Sequence, residues 1–145
     1  KNLYNTKGKG GKSVKEVELK VVSTSLTDRE ITLEYQGKAW LSDSRLMYRE
    51  NSDPFALISV DFRNTQCTIQ RKFQNYHLTM KLELDQLSEC TVQSPEGVMQ
   101  LNVKMKLFEM KKNQLCLEYD LYSFGQVIDQ FRKVFSFREV GHESD

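Results

Sequence analysis

Apolar and polar residues alternate with a period of two along most of this chain, which is the pattern of a β-strand with one buried face. The clearest run is 76–84, where every second residue is apolar: Tyr76, Leu78, Met80, Leu82 and Leu84. The stretches 99–107 and 115–122 repeat the pattern. A 3.6-residue apolar stripe is absent except for a single turn's worth in 84–90. The chain is therefore predicted to be all-β.

Weaker alternating runs extend the strand pattern over the rest of the chain. They fall at 17–21, 31–35, 38–41, 45–50, 56–62, 67–73 and 131–137. With the three clear runs they make about eight to ten strands, at the spacing typical of sandwiches and barrels. Short turn sequences separate them: Asn51-Ser52-Asp53-Pro54, Ser94-Pro95-Glu96-Gly97, Lys112-Asn113 and Ser123-Phe124-Gly125. Because such turns connect antiparallel neighbours and closure hides sheet edges, we predict an up-and-down barrel, closed or nearly closed.

The length of 145 residues allows one domain with its own core. Segment 1–13 has four lysines and no acid, and is predicted to be a flexible basic tail; 141–145 has two acids and no apolar residue, and is predicted to be a frayed end. The barrel domain 14–140 then carries 17 basic and 18 acidic residues, a net charge of −1 instead of the +1 of the whole chain. Such a balance favours neither nucleic acid nor an anionic membrane as a partner.

A barrel of about eight strands has an interior that is either filled by side chains or just able to hold one small ligand. The residues with inward parity are bulky: Tyr35, Phe62, Tyr76, Met80, Met99, Met105, Tyr119, Phe131 and Phe135. They fill the interior as core, or they line a pocket. The sequence leaves both alternatives open.

Arg71 shares the parity of Cys67, Ile69 and Phe73, so a straight strand points its guanidinium inward. A buried, unpaired guanidinium would cost several kcal/mol, so an inward Arg71 needs a carboxylate partner or an anionic ligand. Asp129 and Lys133 share the inward parity of Phe131 in the same way. The alternatives are a β-bulge that resets the parity, or a position at the barrel mouth where Arg71 reaches water.

Metal and catalytic sites find no support in the sequence. His77 lies on the polar face of its strand, His142 lies in the C-terminal tail, and neither has a partner at metal-ligand spacing. Three cysteines without a CxxC pair indicate neither a disulfide framework nor zinc, and favour a reducing, cytoplasmic setting. No cofactor is predicted. An enzyme using Asp129 or Glu118 is a distant alternative, since no base, nucleophile and orienting group occur together.

Several short motifs stand out along the chain: Arg71-Lys72 at a strand end, Ser94-Pro95-Glu96-Gly97 leading into Leu101-Asn102-Val103-Lys104, and Leu117-Glu118-Tyr119-Asp120-Leu121. In combination they resemble the YwiB-like family of small bacterial proteins. The resemblance is firmest from His77 to Glu139 and extends loosely back to Val14. It implies a cytosolic bacterial protein with a calycin-type (lipocalin-like) antiparallel barrel and no established catalytic residue.

The chain departs from the pattern of that family around the proline. Val92 and Ser94 stand where relatives have an aromatic residue and a threonine, and Glu96 stands where an aromatic residue is common. If those aromatic residues line a pocket in relatives, this chain has a different ligand or none. Calycin-like barrels often bind small apolar or amphipathic molecules, but a fold alone does not establish a function.

Two functions from different classes remain. The first is a non-enzymatic barrel that binds a small hydrophobic or amphipathic anion, with Arg71 as the polar anchor and Tyr35, Tyr119, Met105 and Lys133 as further candidate contacts. The second is a protein-interaction module with a filled core, which docks a partner or a second copy through an outer face or an edge strand. It rests on apolar residues with outward parity: Val22, Leu41, Leu57 and Phe108.

Overall fold

Ten strands account for most of the residues that the computed structural model describes, which are 13–50 and 56–140. They are β1 Lys15–Ser25, β2 Ile31–Leu41, β3 Arg45–Arg49, β4 Leu57–Arg63, β5 Gln66–Phe73, β6 Tyr76–Glu83, β7 Leu87–Ser94, β8 Gly97–Lys111, β9 Gln114–Ser123 and β10 Gln126–Glu139. The segment 84–90, which carried the only trace of helical period, forms a tight turn and the start of β7.

The strands form a closed barrel in which every neighbour in sequence is also a neighbour in space. Each pair is antiparallel, and β1 closes the ring by pairing with β10 from Val17–Glu139 to Ser25–Phe131. The predicted all-β, up-and-down closed barrel is therefore confirmed. The predicted C-terminal tail at 141–145, the predicted turn at 51–54 and all of the predicted N-terminal tail at 1–13 except Ser13 lie outside the described residues.

The connections between strands lie alternately at the two ends of the barrel, which are called here the upper and the lower end. The upper end carries the turns at 26–30, 74–75, 95–96 and 124–125. The lower end carries those at 42–44, 64–65, 84–86 and 112–113, beside the outer ends of β1 and β10. Three of the four turns predicted from sequence thus appear as hairpin connections.

The interior is built from every second residue of each strand, as the alternation predicts. Its fully buried side chains include Leu19, Leu46, Val60, Val103, Leu115, Leu117 and Phe135. Each large aliphatic or aromatic side chain buried in this way stabilises the fold by about 1.5–3 kcal/mol. The lower half of the barrel is therefore a packed core.

Two of the register shifts in the described residues, on β8 and between β1 and β2, correct part of the sequence analysis. A register shift between Met105 and Leu107 on β8 brings Phe108 to the inside, where it packs against the core. A shift between Val21 and Val22 of β1 leaves Glu34 as an extra residue on β2, and Leu33 beyond it is 54% exposed at the cavity wall. Bulges of this kind insert one residue and reverse the parity beyond it.

The outward prediction for Leu41 is also wrong. Leu41 pairs with the fully buried Leu46 and packs against the core, because it continues the inward parity of Ala39. Val22 and Leu57 do lie between inward neighbours and face outward. The prediction of an outer apolar face through Leu41 and Phe108 thus fails.

Candidate functional site

The upper half of the barrel contains a cavity of about 450 Å³ beside the segment in which β2 and β3 are not paired. Among the described residues these two strands pair only at Trp40–Met47 and Leu41–Leu46, close to the lower end. Above these pairs the described parts of β2 and β3 form no further ladder pair, and the cavity is lined there by residues of both strands and by residues of β4, β5, β6 and β10. Its apolar lining is Leu33, Tyr48, Ile58, Ile69, Leu78 and Met80.

Arg71 lines this cavity from β5 and is held by Glu50. Its neighbours in register are Ile58 and Leu78, both cavity residues, so the predicted inward orientation is correct. Arg71 Nε donates to Glu50 Oε2 at 3.0 Å and Nη2 donates to Oε1 at 2.9 Å. The guanidinium also lies 5.0 Å from the ring centre of Phe73 and 6.0 Å from that of Tyr76. The predicted need for a carboxylate partner is met by Glu50.

The same bidentate pair determines the electrostatics of Arg71. The hydrogen bonds to Glu50 raise the pKa of the guanidinium, and partial burial opposes them only in part. Arg71 is about one-third exposed and Glu50 one-quarter exposed, so the pair lies at the mouth and not deep in the core. Arg71 is therefore a fixed cation at the rim of an apolar cavity.

Lys133 supplies a second cation, deeper in the same cavity. It pairs with Ser23 on β1 and Leu117 on β9, two residues of the buried interior. Its side chain is only 16% exposed, and Nζ lies 3.2 Å and 3.3 Å from the two carboxylate oxygens of Glu34. Burial by itself lowers the pKa of the ammonium, but the electrostatic interactions with the Tyr119 side chain and with Glu34, together with the hydrogen bond to Glu34, outweigh it, so the pKa is raised.

Glu34 reaches Lys133 because of the β2 bulge. Val21 pairs with Tyr35 and Val22 pairs with Leu33, so Glu34 is the extra residue between two ladder positions. An inserted residue is free of the alternating pattern, and here its carboxylate enters the cavity beside an inward lysine. Bulges are common next to functional sites for this reason.

The cavity therefore holds two cation–carboxylate pairs, Arg71–Glu50 and Lys133–Glu34, and Tyr48 also lines it. Burial raises the pKa of Tyr48 well above its usual range, and Glu34 and Glu50 raise it further. The phenol is neutral at ordinary pH, so the four charges sum to zero. This arrangement offers directed hydrogen-bond donors above an apolar floor, without a strong net potential.

Within 13–50 and 56–140 the structure shows no group of three or more His, Cys, Asp or Glu placed to hold a metal ion. The same residues include no helix that is long and apolar enough to cross a membrane. Of the inward cysteines, Cys67 has its pKa raised to about 12, chiefly by burial. It is a neutral thiol and lacks the thiolate character of a nucleophile.

The structure divides the candidate residues from the sequence into two groups. Arg71 and Lys133 line the cavity. Tyr35, Tyr119 and Met105 face the interior but are packed within it: Tyr35 lies 4.5 Å from the Tyr48 ring and donates its hydroxyl to Lys38 O at 2.6 Å. Whether these three contact a ligand stays a prediction.

The sequence analysis missed both carboxylates of the site. Glu50 had a signal, because it continues the inward parity of Leu46 and Tyr48 at the end of β3. Glu34 had none, since its inward orientation depends on a bulge that alternation does not reveal. Asp129 does not join the network; its Oδ1 accepts from Ser25 Oγ at 3.0 Å and from the amide of Gln130 at 2.8 Å.

Comparisons with known proteins agree on the fold. A family model described as a domain of unknown function, DUF1934, matches residues 15–133. The crystal structure of ywiB protein from Bacillus subtilis superposes with a TM-score of 0.68 at 11% identity, covering 90% of this chain and 94% of that one. A search of curated proteins found no match. At this identity the structural likeness shows a shared fold and nothing about a ligand.

Proposed function

We propose that this protein, which belongs to the DUF1934 family, is a binding barrel and not an enzyme, and that it holds a small amphipathic anion in its upper cavity. The observation that carries the proposal is an open, apolar cavity with two oriented cations at its wall. The apolar part of the ligand lies on the floor of the cavity, and its acidic head group binds at Arg71.

The size and lining of the cavity support a ligand with an apolar body. A volume of about 450 Å³ falls within the roughly 300–1,000 Å³ of small-molecule sites. Ile58, Ile69, Leu78 and Met80 form one continuous apolar wall of the cavity on the neighbouring strands β4, β5 and β6. Small-molecule pockets usually combine such an apolar floor with a few polar groups, which orient an amphipathic ligand.

The geometry of Arg71 supports an acidic head group. Glu50 occupies Nε and one N–H of Nη2, and a guanidinium has three further N–H donors. Glu50 and the rings of Phe73 and Tyr76 fix the guanidinium plane, so a ligand does not have to order it. Because Glu34 and Glu50 already neutralise the two cations, selectivity for an anion comes from directed donors and depends only weakly on salt.

The test uses 1-anilinonaphthalene-8-sulfonate as a fluorescent amphipathic anion, displaced by decanoate or by its neutral counterpart decanol. Arg71→Met is expected to weaken probe binding roughly 10–100-fold, the worth of hydrogen bonds to a charged group. It should also abolish the preference for decanoate over decanol. Arg45→Met is the matched control, because Arg45 forms an exposed pair with Asp61 at 2.7 Å on the outer wall.

A second variant separates the cavity from other apolar surfaces. Met80→Trp fills the cavity floor and is expected to weaken binding of both the probe and decanol. Native mass spectrometry of the gently purified protein is expected to show a retained small acid. Binding that is unchanged in both Arg71→Met and Met80→Trp contradicts the proposal.

A further inference from the structure

Exposed apolar side chains are concentrated at the upper end of the barrel. Ten large apolar residues are exposed in the part of the chain that the structure describes, and eight of them lie at this end. The eight are Leu26, Ile31, Leu33, Val98, Met99, Phe124, Val127 and Ile128. Single exposed apolar residues are normal, but a cluster of them marks a surface that contacts something else.

Five of these residues lie on two adjacent hairpins that are almost free of charge. In the 25 residues of 90–103 and 121–131 only Glu96 and Asp129 are charged, whereas 28% of the whole chain is charged. The outward positions there are instead amides and a phenol: Gln93, Gln100, Asn102, Tyr122 and Gln126. A surface that has few charged residues and is rich in aromatic and Met side chains is typical of a protein interface. A surface that binds anionic lipid is instead rich in Lys and Arg.

Phe124 at the tip of the β9–β10 hairpin is the most unusual residue of this surface. Its side chain is fully exposed and its φ is 51°, a left-handed conformation that is unfavourable for a bulky residue. The next residue, Gly125, also has positive φ at 77°, so Asn at 124 would form the preferred Asn-Gly turn. The contacts within the barrel do not account for a phenylalanine at this position.

A pocket of matching character lies at the neighbouring β7–β8 hairpin. It has a volume of about 360 Å³, and Tyr76, Val92, Val98 and Met99 form its apolar walls beside the turn Ser94–Gly97. A cavity of roughly 150 Å³ already holds a benzene molecule, so a phenyl ring fits here. A projecting ring and an apolar hole thus lie side by side at one end of the barrel.

We propose that this end binds a second copy of the chain, with Phe124 of each copy inserted into the pocket at Val98 and Met99 of the other. A two-fold axis between the hairpins of two copies places the Phe124 ring of each copy in the pocket of the other, so both pockets are filled at once. Each copy brings only Glu96, at the edge of the pocket, and Asp129 to this surface, so it meets itself with little like-charge repulsion, and its amide side chains can both donate and accept hydrogen bonds.

The dimer pocket and the proposed ligand cavity have no lining residue in common, although Tyr76 of the pocket lies 6.0 Å from the Arg71 guanidinium. Phe124 and Val98 do not line the ligand cavity. Variants at these two positions are therefore expected to leave probe binding at Arg71 unchanged, so the two proposals can fail separately.

Sedimentation velocity on the full chain tests the proposal, over a roughly 100-fold range of concentration reaching about 0.5 mM. The wild type is expected to dimerise. Phe124→Asn is expected to weaken association about 100-fold or more, because two rings are lost per dimer, while the Asn-Gly turn keeps the fold. Leu87→Asn is the control, since Leu87 is 60% exposed at the lower end, and it should dimerise as the wild type does.

Mixing two variants tests the exchange itself. Val98→Arg blocks the hole but keeps the ring, whereas Phe124→Asn removes the ring but keeps the hole. Each variant alone is expected to be monomeric, and an equimolar mixture should associate more tightly than either, because one ring meets one hole. The proposal is overturned if the wild type stays monomeric or if Phe124→Asn still dimerises. It is also overturned if the mixture associates no more tightly than its components, or if the protein is a monomer that co-sediments with phosphatidylcholine vesicles.

Discussion

The ion pair between Lys133 and Glu34 allows a sharp test of how the cavity is stabilised. At 3.2 Å between Nζ and Oε1, two unit charges attract each other by about 5 kcal/mol at an effective dielectric constant near 20. Desolvation of the mostly buried ammonium offsets much of this attraction, so the net contribution of the pair is small. The single variants are nevertheless expected to be costly, because each leaves one charge without its partner.

The expected order of stability follows from the different exposure of the two groups. Glu34→Gln leaves an ammonium that is 16% exposed without a counter-charge, which costs about 2–3 kcal/mol. Lys133→Met leaves a carboxylate that is 35% exposed and can turn to water, which costs about 1–2 kcal/mol. The double variant loses both charges and is expected to lie within about 1 kcal/mol of the wild type.

Urea unfolding followed by the fluorescence of Trp40 measures these differences, since Trp40 is the only tryptophan. At this size about 1 kcal/mol corresponds to roughly 2–4 °C in the melting temperature. Lys15→Met is the control: Lys15 lies 2.6 Å from Glu139, but both are about half exposed, so the change should be below about 0.5 kcal/mol. A double variant less stable than either single variant would refute the reasoning, because it would mean that the two side chains act independently.

The pH dependence adds a second readout with a defined sign. The pKa of Lys133 is raised in the folded protein, so the contribution of this group is complete below the unfolded value of about 10.4 and is lost only above it. In Glu34→Gln the carboxylate that raises the pKa of Lys133 is missing, while burial still lowers it. The pKa of Lys133 in the folded variant is therefore expected to fall below its unfolded value. The stability of Glu34→Gln should then rise with pH in the alkaline range, relative to the wild type.

Three further predictions concern the packed interior. Cys67, with its pKa raised to about 12 by burial, is expected to react with an aromatic disulfide reagent only after unfolding, measured by thiol release at pH 8 in water and in urea. Burial is the main cause that raises the pKa values of Tyr48 and Tyr119. The two neutral phenols therefore contribute stability at pH values below the unfolded-state pKa of about 10, and this contribution is lost as the pH rises above it. Spectrophotometric titration should show that both tyrosines ionise together with alkaline unfolding. Met105→Ala is expected to cost about 2–5 kcal/mol in urea unfolding, because Met105 is fully buried, whereas Met110→Ala at a 42% exposed position should cost less than about 0.5 kcal/mol.

The fold was predictable because the sequence is locally consistent. Alternation in 76–84 and 99–107 specifies strands, short turns specify antiparallel order, and the need to hide edges specifies closure. The inward orientation of Arg71 followed from the same parity. These inferences depend only on neighbours within one strand, which a sequence displays directly.

The rest of the site depends on bulges, and a bulge leaves no trace in the alternation. The insertion at Glu34 moves a carboxylate into the cavity, and the shift before Leu107 moves Phe108 from the predicted outer face to the core. Both follow from pairing between different strands, since a bulge exists only relative to its partner. The pocket at Val98 and Met99 is equally invisible, because it requires two hairpins to be placed side by side.

The seam between β1 and β10 has a consequence for how the chain acquires its fold. Every other ladder joins strands connected by a short loop, but this one begins at Val17 and Glu139, next to a side-chain hydrogen bond between Lys15 and Glu139, which are 124 positions apart. Closing so long a segment costs roughly 3 kcal/mol more in chain entropy than closing a hairpin. The meander can therefore form hairpin by hairpin during synthesis, but it remains an open sheet with two unpaired edge strands until β10 pairs with β1. The same seam that gives the finished barrel no edge makes its unfinished precursor the species most exposed to aggregation.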